Sequence, residues 1–260
     1  MSQESMDLLP FSQSSHPTLA AANEARQVLA GLLLPELARP ITSLVYNPWL
    51  VARRDGRHDY RAQALNHGFD DEYSIAAWFL STGPIPKPTT EGLSTITPQR
   101  IVFQTRVADQ GWADFGGDGT FENSHTWFEA SILRPVGPSC QQNESNVHEE
   151  ALSDISWWDI ADAREDLRAQ GWEFVEGENG RLSWKVCNNL TASSDFRNYK
   201  VEWRRDIVAA VDDERAIGTG EGFLQLLGPG CIVVLWARAE QRAWVNKVEA
   251  ATIEIEYEFL

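Results

Sequence analysis

The chain lacks most of the signatures by which a sequence declares its chemistry. Its 260 residues include only three cysteines, Cys140, Cys187 and Cys231, and their spacing is that of neither a metal site nor a redox pair. No CxxC or HExxH occurs and the five histidines are scattered, which argues against a structural zinc. There is no GxSxG elbow for a nucleophilic serine. The one glycine run that resembles a phosphate loop, GTGEG at 218–222, lacks the Lys-Ser/Thr ending and is not followed by a helical pattern, so it reads as a turn. Positive charge is also scarce: 22 Lys and Arg stand against 38 Asp and Glu, a net charge of −16. That balance opposes binding to a nucleic-acid backbone or an anionic membrane. No apolar run approaches the length of a membrane span, and the first residues lack a signal-peptide core. The expectation is a soluble, cytoplasmic protein with no metal and no cofactor. Asn143 and Asn189 fit the glycosylation pattern, which means nothing in such a setting. The acidic run 212–214 reads as a solvated loop, with calcium binding as its alternative.

What the chain does have is aromatic residues, including eleven Trp and eleven Phe. So many tryptophans imply an aromatic-lined cavity or groove in addition to a core. They concentrate in stretches with the two-residue period of β-strands. In residues 100–134, Ile101, Phe103 and Thr105 alternate with Val102, Gln104 and Arg106. After a loop rich in Gly and Asp, Phe128, Ala130 and Ile132 face one way and Trp127, Glu129, Ser131 and Leu133 the other. Residues 181–205 echo this plan, with Trp184, Tyr199, Val201 and Trp203 matching Phe103, Phe128, Ala130 and Ile132. The final strand alternates Ile253, Ile255 and Tyr257 with Glu254, Glu256 and Glu258, the pattern of a half-exposed antiparallel strand.

Helical patterns are few. Residues 17–34 carry an apolar stripe of Val28, Leu29, Leu32 and Leu33, opened by Pro17 and closed by Pro35 and Pro40. Residues 156–170 form a second candidate, stopped by Gly171. Residues 41–46, 74–80, 172–175, 182–188, 199–205, 223–227, 232–238 and 250–259 read as strands, and 51–66 as a basic, loop-like stretch. The fold expected is mainly β: two jelly-roll-like antiparallel β-sandwich modules with two short helices. The domain plan is a flexible 1–16, a helix and first sandwich over 17–136, a linker over 137–155 and a second sandwich over 156–260.

Two loops gather the candidate site residues. Asp109, Gln110, Trp112, Asp114, Phe115 and His125 flank the first, where Trp112 and Trp127 can stack on a planar group, Asp109 or His125 can exchange a proton and Gln110 can hydrogen-bond. Each also has a plain reading, since turns favour Asp and Gly for backbone reasons. Arg238, Trp244 and Asn246 mark the second, with Arg238 able to polarise a carbonyl or simply stack on Trp244. Facing modules would enclose Trp112, Trp127, Trp184, Tyr199 and Trp203 in one apolar cleft, with His125, Asp109 and Arg238 as its polar groups.

Seven segments together resemble a large fungal family of uncharacterised proteins, some fused to ankyrin repeats: LLLPELARPI, RIVFQTRVADQGW, GTFENSHTWFEASI, YKVEWRRD, GTGEGFLQLLGPG, IVVLWARA and WVNKVEAATIEIEY. The resemblance runs from about residue 30 to the C-terminus. It implies paired jelly-roll-like sandwiches similar to carbohydrate-binding modules, and no assigned activity. The chain departs from the pattern at GPGC, residues 228–231, and at EQRAWVN, where a Gly-Asp turn and a Pro-Gly-Trp are usual. In size, aromatic content and absence of a redox motif it is also similar to the cofactor-free fungal hetero-Diels–Alderases of tropolone–sesquiterpene biosynthesis. That second resemblance implies a pericyclase acting on a small hydrophobic or aromatic substrate, a polyene or quinone methide. Three functions stay open: such a cyclase, a lectin-like carbohydrate-binding module, and a protein-interaction domain. A deep cavity lined by several tryptophans separates the first from a shallow groove for the second and a flat apolar patch for the third. Oligomeric state leaves no trace in the sequence.

Overall fold

The structure is a computed structural model that describes residues 16–65, 72–88, 95–137, 155–208 and 213–259. The segments expected to be a flexible N-terminus and a linker fall almost wholly outside the described residues, as do Cys140, Asn143 and Asp212. The described chain is mainly β, with two antiparallel sheets packed face to face and a few short helices. None of its helices is long and apolar enough to cross a membrane.

Eight main strands set the topology: β1 (Trp49–Arg61), β3 (Tyr73–Ser81), β4 (Ile96–Ala108), β5 (Thr126–Pro135), β8 (Trp184–Asn188), β9 (Arg197–Arg204), β10 (Ile232–Glu240) and β11 (Val245–Phe259). Short strands β2 (Gln63–Ala64), β6 (Ser156–Trp157) and β7 (Trp172–Phe174) extend the second sheet. The first sheet runs β1-β11-β4-β9. The second runs β2-β3-β10-β5-β7, with β8 also on β5 and β6 on β3. Pairing is nested: β1 with β11, β3 with β10, β4 with β9, β5 with β8. The first half of the chain thus runs antiparallel to the second as one long ribbon, wrapped over itself so that alternate pairs fall in opposite sheets. This is the jelly-roll arrangement.

The division into two sandwich modules is thereby corrected. The two similar strand–loop–strand units are β4–loop–β5 and β8–loop–β9. They are the two arms of the same ribbon, facing each other strand for strand and sharing one core. Phe103, Phe128, Ile132, Trp203, Val233 and Ile253, drawn from both halves, are all sealed in it.

Several local expectations are also corrected. Pro35 does end the first helix, α1 (Leu19–Leu32, capped by Thr18), but it opens a second, α2 (Pro35–Val45). Residues 41–46 are therefore not a strand. Thr42 lies within α2 and its Oγ1 donates to the Ala38 carbonyl at 2.8 Å, a helix-compatible bond for a β-branched residue. The basic 51–66 stretch is largely the edge strand β1, and charge on an edge strand guards against pairing with another chain. Residues 156–170 split into β6, a 3-10 turn (Ile160–Ala163) and α3 (Arg164–Ala169). The stretches 172–175 and 182–188 are strands as expected, β7 and β8, and they lie end to end along β5. Residues 223–226 make one helical turn, α4 (Phe223–Leu226), which presses Phe223 between Trp184 and Trp203 at ring distances of 5.2 and 5.1 Å.

The second sheet has a covered outer face, and this positions the site. Trp78, Leu133, Val234 and Trp236 point away from the main core into a smaller one, completed by Ile160, Leu167 and Phe174 from residues 155–183. The indoles of Trp78 and Trp236 meet edge to face at 5.5 Å, and Trp236 Nε1 donates to Ser131 Oγ at 2.9 Å. Towards the other end of the same strands the outward residues turn polar, and there the cover stops.

Candidate functional site

Where the cover ends, the outer face of β5 and β10 opens into a hollow of about 480 Å³. Alternation along the strands puts Trp127 and Glu129 of β5 beside Arg238 and Glu240 of β10 on its floor. The cover adds Asp159 and Ile160 on one side, and Leu182 and Ser183 on the other. Arg238 is the hub. Its side chain is 4 % exposed and lies over the Trp127 ring, 5.2 Å from the ring centre. Nη2 donates to Asp159 Oδ2 at 3.1 Å and reaches Ser74 Oγ at 3.5 Å. Glu129 lies 3.6 Å from Nη1 and Glu240 3.8 Å from Nη2. The remaining donor, Nε, is buried without a hydrogen-bond partner.

Electrostatics follow from one cation among three carboxylates. Burial pushes the Glu129 carboxyl up from its ordinary range, and the Arg238 charge and a hydrogen bond from Ser183 pull only part of the way back. Burial raises Glu240 in the same way, again opposed by Arg238. Asp159 is fixed by a second duty: its Oδ1 accepts from the Ala161 amide at 3.0 Å, capping the 3-10 turn, while Asp162 returns the bond to the Asp159 amide. The floor is fixed from below by Asn246 of β11, fully buried. Its Nδ2 bonds the carbonyls of both Trp127 (3.0 Å) and Arg238 (3.1 Å), tying two neighbouring strands to the opposite sheet.

The structure separates the residues the sequence grouped. Trp127 and Arg238 line the hollow and Asn246 supports it. The five-aromatic cleft is not formed, because Trp184, Tyr199 and Trp203 are sealed in the core between the sheets and Trp112 is 45 % exposed on a loop. Asp109 is 0 % exposed, so it is not a group that a ligand can reach. It clamps the two end loops together, accepting from the Gln110 amide at 2.6 Å and the Ala192 amide at 2.8 Å. Burial nevertheless pushes its carboxyl up to about 6, against those hydrogen bonds. His125 is half-buried with its ring 4.8 Å from that of Trp244, and burial lowers its pKa. Trp244 is buried there and is not stacked with Arg238. Gln110 turns its amide to the Trp112 carbonyl and the Val245 amide. Glu129, Asp159, Glu240 and Ser183 were not singled out as site residues. Glu129 shares the outward alternation of Trp127 and Glu240 stands two residues from Arg238, so both were visible as neighbours. Asp159 arrives on the cover and left no local signal.

The GTGEG stretch is a tight connection fixed by packing, and contrary to its sequence pattern a helical turn, α4, follows it directly. A Cβ on Gly220, at φ +65°, would stand 2.1 Å from the Trp203 ring, and one on Gly218 would stand 1.9 Å from the Lys185 carbonyl. Trp203 Nε1 donates to the Gly218 carbonyl at 2.8 Å, so the glycines are there to admit an indole. Among the described residues, no group of three or more His, Cys, Asp or Glu could hold a metal ion.

No protein-family model matches the chain, and no curated protein matches it. Among solved structures it is similar to the decameric BFDV capsid protein, at 10 % identity over 82 % of this chain and 98 % of that one, with a TM-score of 0.28. An overlap that loose carries no argument about fold or function.

Proposed function

We propose that the chain is a ligand-binding jelly roll whose site is the Trp127–Arg238 hollow, and that its ligand is a small hydroxylated ring of the sugar type. The observation behind this is an aromatic platform set among polar groups of both kinds in one open concavity. Arg238 donates and has Nε to spare, while Glu129, Asp159 and Glu240 accept. Hydroxyl groups both donate and accept, so a polyol satisfies the two sets at once. A purely apolar ligand would strip water from a guanidinium and three carboxylates and return nothing. The lectin-like alternative therefore stands ahead of the cyclase. The test is a titration of the protein with a panel of monosaccharides and oligosaccharides by calorimetry and NMR. Binding that Trp127→Ala weakens at least about tenfold, with the fold intact, is the expected result. A panel without a single binder removes the reading.

A second reading, the cofactor-free cyclase of fungal secondary metabolism, is favoured by one observation. Glu129, its carboxyl raised by burial, sits beside a guanidinium over an aromatic face. A proton donor, a hydrogen-bond donor and a stacking surface are what a polar cycloaddition of a quinone methide needs. On this reading the protein changes the product ratio of the spontaneous cycloaddition, and Glu129→Gln abolishes the change. A ratio the protein leaves untouched rules it out.

A further inference from the structure

We infer that the hollow selects a ligand carrying a protonated amine, an amino sugar in preference to a neutral or acidic one. This rests on the reading of the hollow as a sugar-type site and names its ligand class. The first observation is the charge count at contact distance. Of the described residues lining the hollow, Arg238 alone is basic, and it is shared by Glu129, Asp159 and Glu240 within 3.8 Å. Lys185, the next cation along β8, does not line the hollow; its Nζ bonds the carbonyls of Glu214 and Arg215 at 3.2 and 2.7 Å. Asp159 and Glu240 alone outnumber the one guanidinium, so the hollow retains a surplus of negative charge in either state of Glu129.

The placement of the carboxylates decides what that surplus attracts. The side chains of Asp159 and Glu240 are 43 % and 44 % exposed, while Arg238 is 4 % exposed. An incoming group therefore meets the acids before it meets the arginine. An anionic sugar would have to pass two carboxylates to reach Arg238, whereas an ammonium is attracted at the entrance.

The second observation points to the rest of the ligand. Arg238 Nε is a buried donor with no partner, in a side chain more than nine-tenths buried that lines the hollow. It calls for an acceptor oxygen, which an ammonium alone cannot supply. A ring bearing both hydroxyls and an ammonium meets the two requirements together.

The experiment uses the full chain labelled with nitrogen-15 and follows the Trp127 indole N–H, assigned by its loss in Trp127→Phe. Glucosamine, glucose and glucuronate are titrated separately at a pH where the amine is protonated. Glucosamine is expected to bind about tenfold more tightly than glucose, and glucuronate not at all. Added salt should erode the preference. Glu240→Gln, at a half-exposed position that caps nothing, should bring glucosamine to the level of glucose while leaving the protein at least as stable as wild type. Equal affinity for glucose and glucosamine, tighter binding of glucuronate, or a preference that survives both Glu240→Gln and Glu129→Gln would overturn the amine inference and leave the sugar site standing. No response of Trp127 to any of the three sugars would overturn both.

Discussion

Replacing Arg238 by Met isolates what the buried charge does for the fold. Methionine keeps much of the stem's packing against Trp127 but withdraws the cation from Glu129, Asp159 and Glu240, all within 3.8 Å of it. A pair at this distance and an intermediate dielectric attracts by about 4 kcal/mol before desolvation is counted. Removing one partner of a buried pair typically costs about 3–5 kcal/mol. Asp159 and Glu240 reach water, so the cost concentrates on Glu129, and about 3 kcal/mol at pH 7.5 is expected. The pH dependence gives the mechanism away. The Glu129 carboxyl is already raised in the folded protein, and losing Arg238 raises it further. Between the unfolded and folded values the folded variant then binds more protons than the unfolded chain, so its stability climbs as pH falls. The deficit against wild type should be smaller at pH 5.5 than at pH 7.5, because protonating Glu129 removes the uncompensated charge. Urea unfolding followed by tryptophan fluorescence at the two pH values measures both deficits. Adding Glu129→Gln to Arg238→Met should recover a large part of the loss at pH 7.5. A deficit that is equal at both pH values, or larger in acid, with no recovery in the double variant, would mean that Arg238 serves by packing alone.

Three further outcomes are expected. Asp109→Asn removes a carboxyl that burial holds at about 6, against an unfolded value of 3.8. Wild type loses up to about 3 kcal/mol from this group as pH rises between those values, so Asn should compare better with wild type at pH 7.5 than at pH 4 by up to that amount, read from paired denaturation curves. Gly220→Ala forces a methyl to within 2.1 Å of the Trp203 ring at a positive φ, and should lower stability by about 3 kcal/mol in a thermal melt. Cys187 is fully buried and its thiol is pushed up to about 12, so an aromatic disulfide reagent should modify it only after unfolding.

The strand faces were legible because β4, β5 and β11 each border a dry core on one side. The sequence period of Phe128, Ala130 and Ile132 is the period of burial itself. Edge strand β1 was not, since a strand with one partner and a wet face keeps arginines that resemble a loop. Residues 41–46 misled through β-branched Ile41 and Thr42, whose local preference the helix overrides. The largest misreading, two modules for one sandwich, has a topological cause. The arms of a wrapped ribbon look alike because each supplies one strand to each sheet, and no local pattern distinguishes pairing within an arm from pairing between arms. Half of the hollow was legible for the same reason as the strands. Trp127 and Glu129 share a face by alternation, whereas Asp159 reaches it only through the path of residues 155–183.

The nested ribbon also dictates when the protein can exist during its own synthesis. Strand β11, flanked by β1 and β4, and β10, flanked by β3 and β5, are interior strands of their sheets and follow all of these neighbours along the chain. Until they leave the ribosome, β1 and β3 wait with apolar faces and open edges, and neither sheet has a middle. Closure of both sheets therefore waits for β10 and β11, while the β4–β9 and β5–β8 pairs can form before them. A chain cut before Ile232 loses the centre of both sheets at once, and what remains is not a smaller version of the domain.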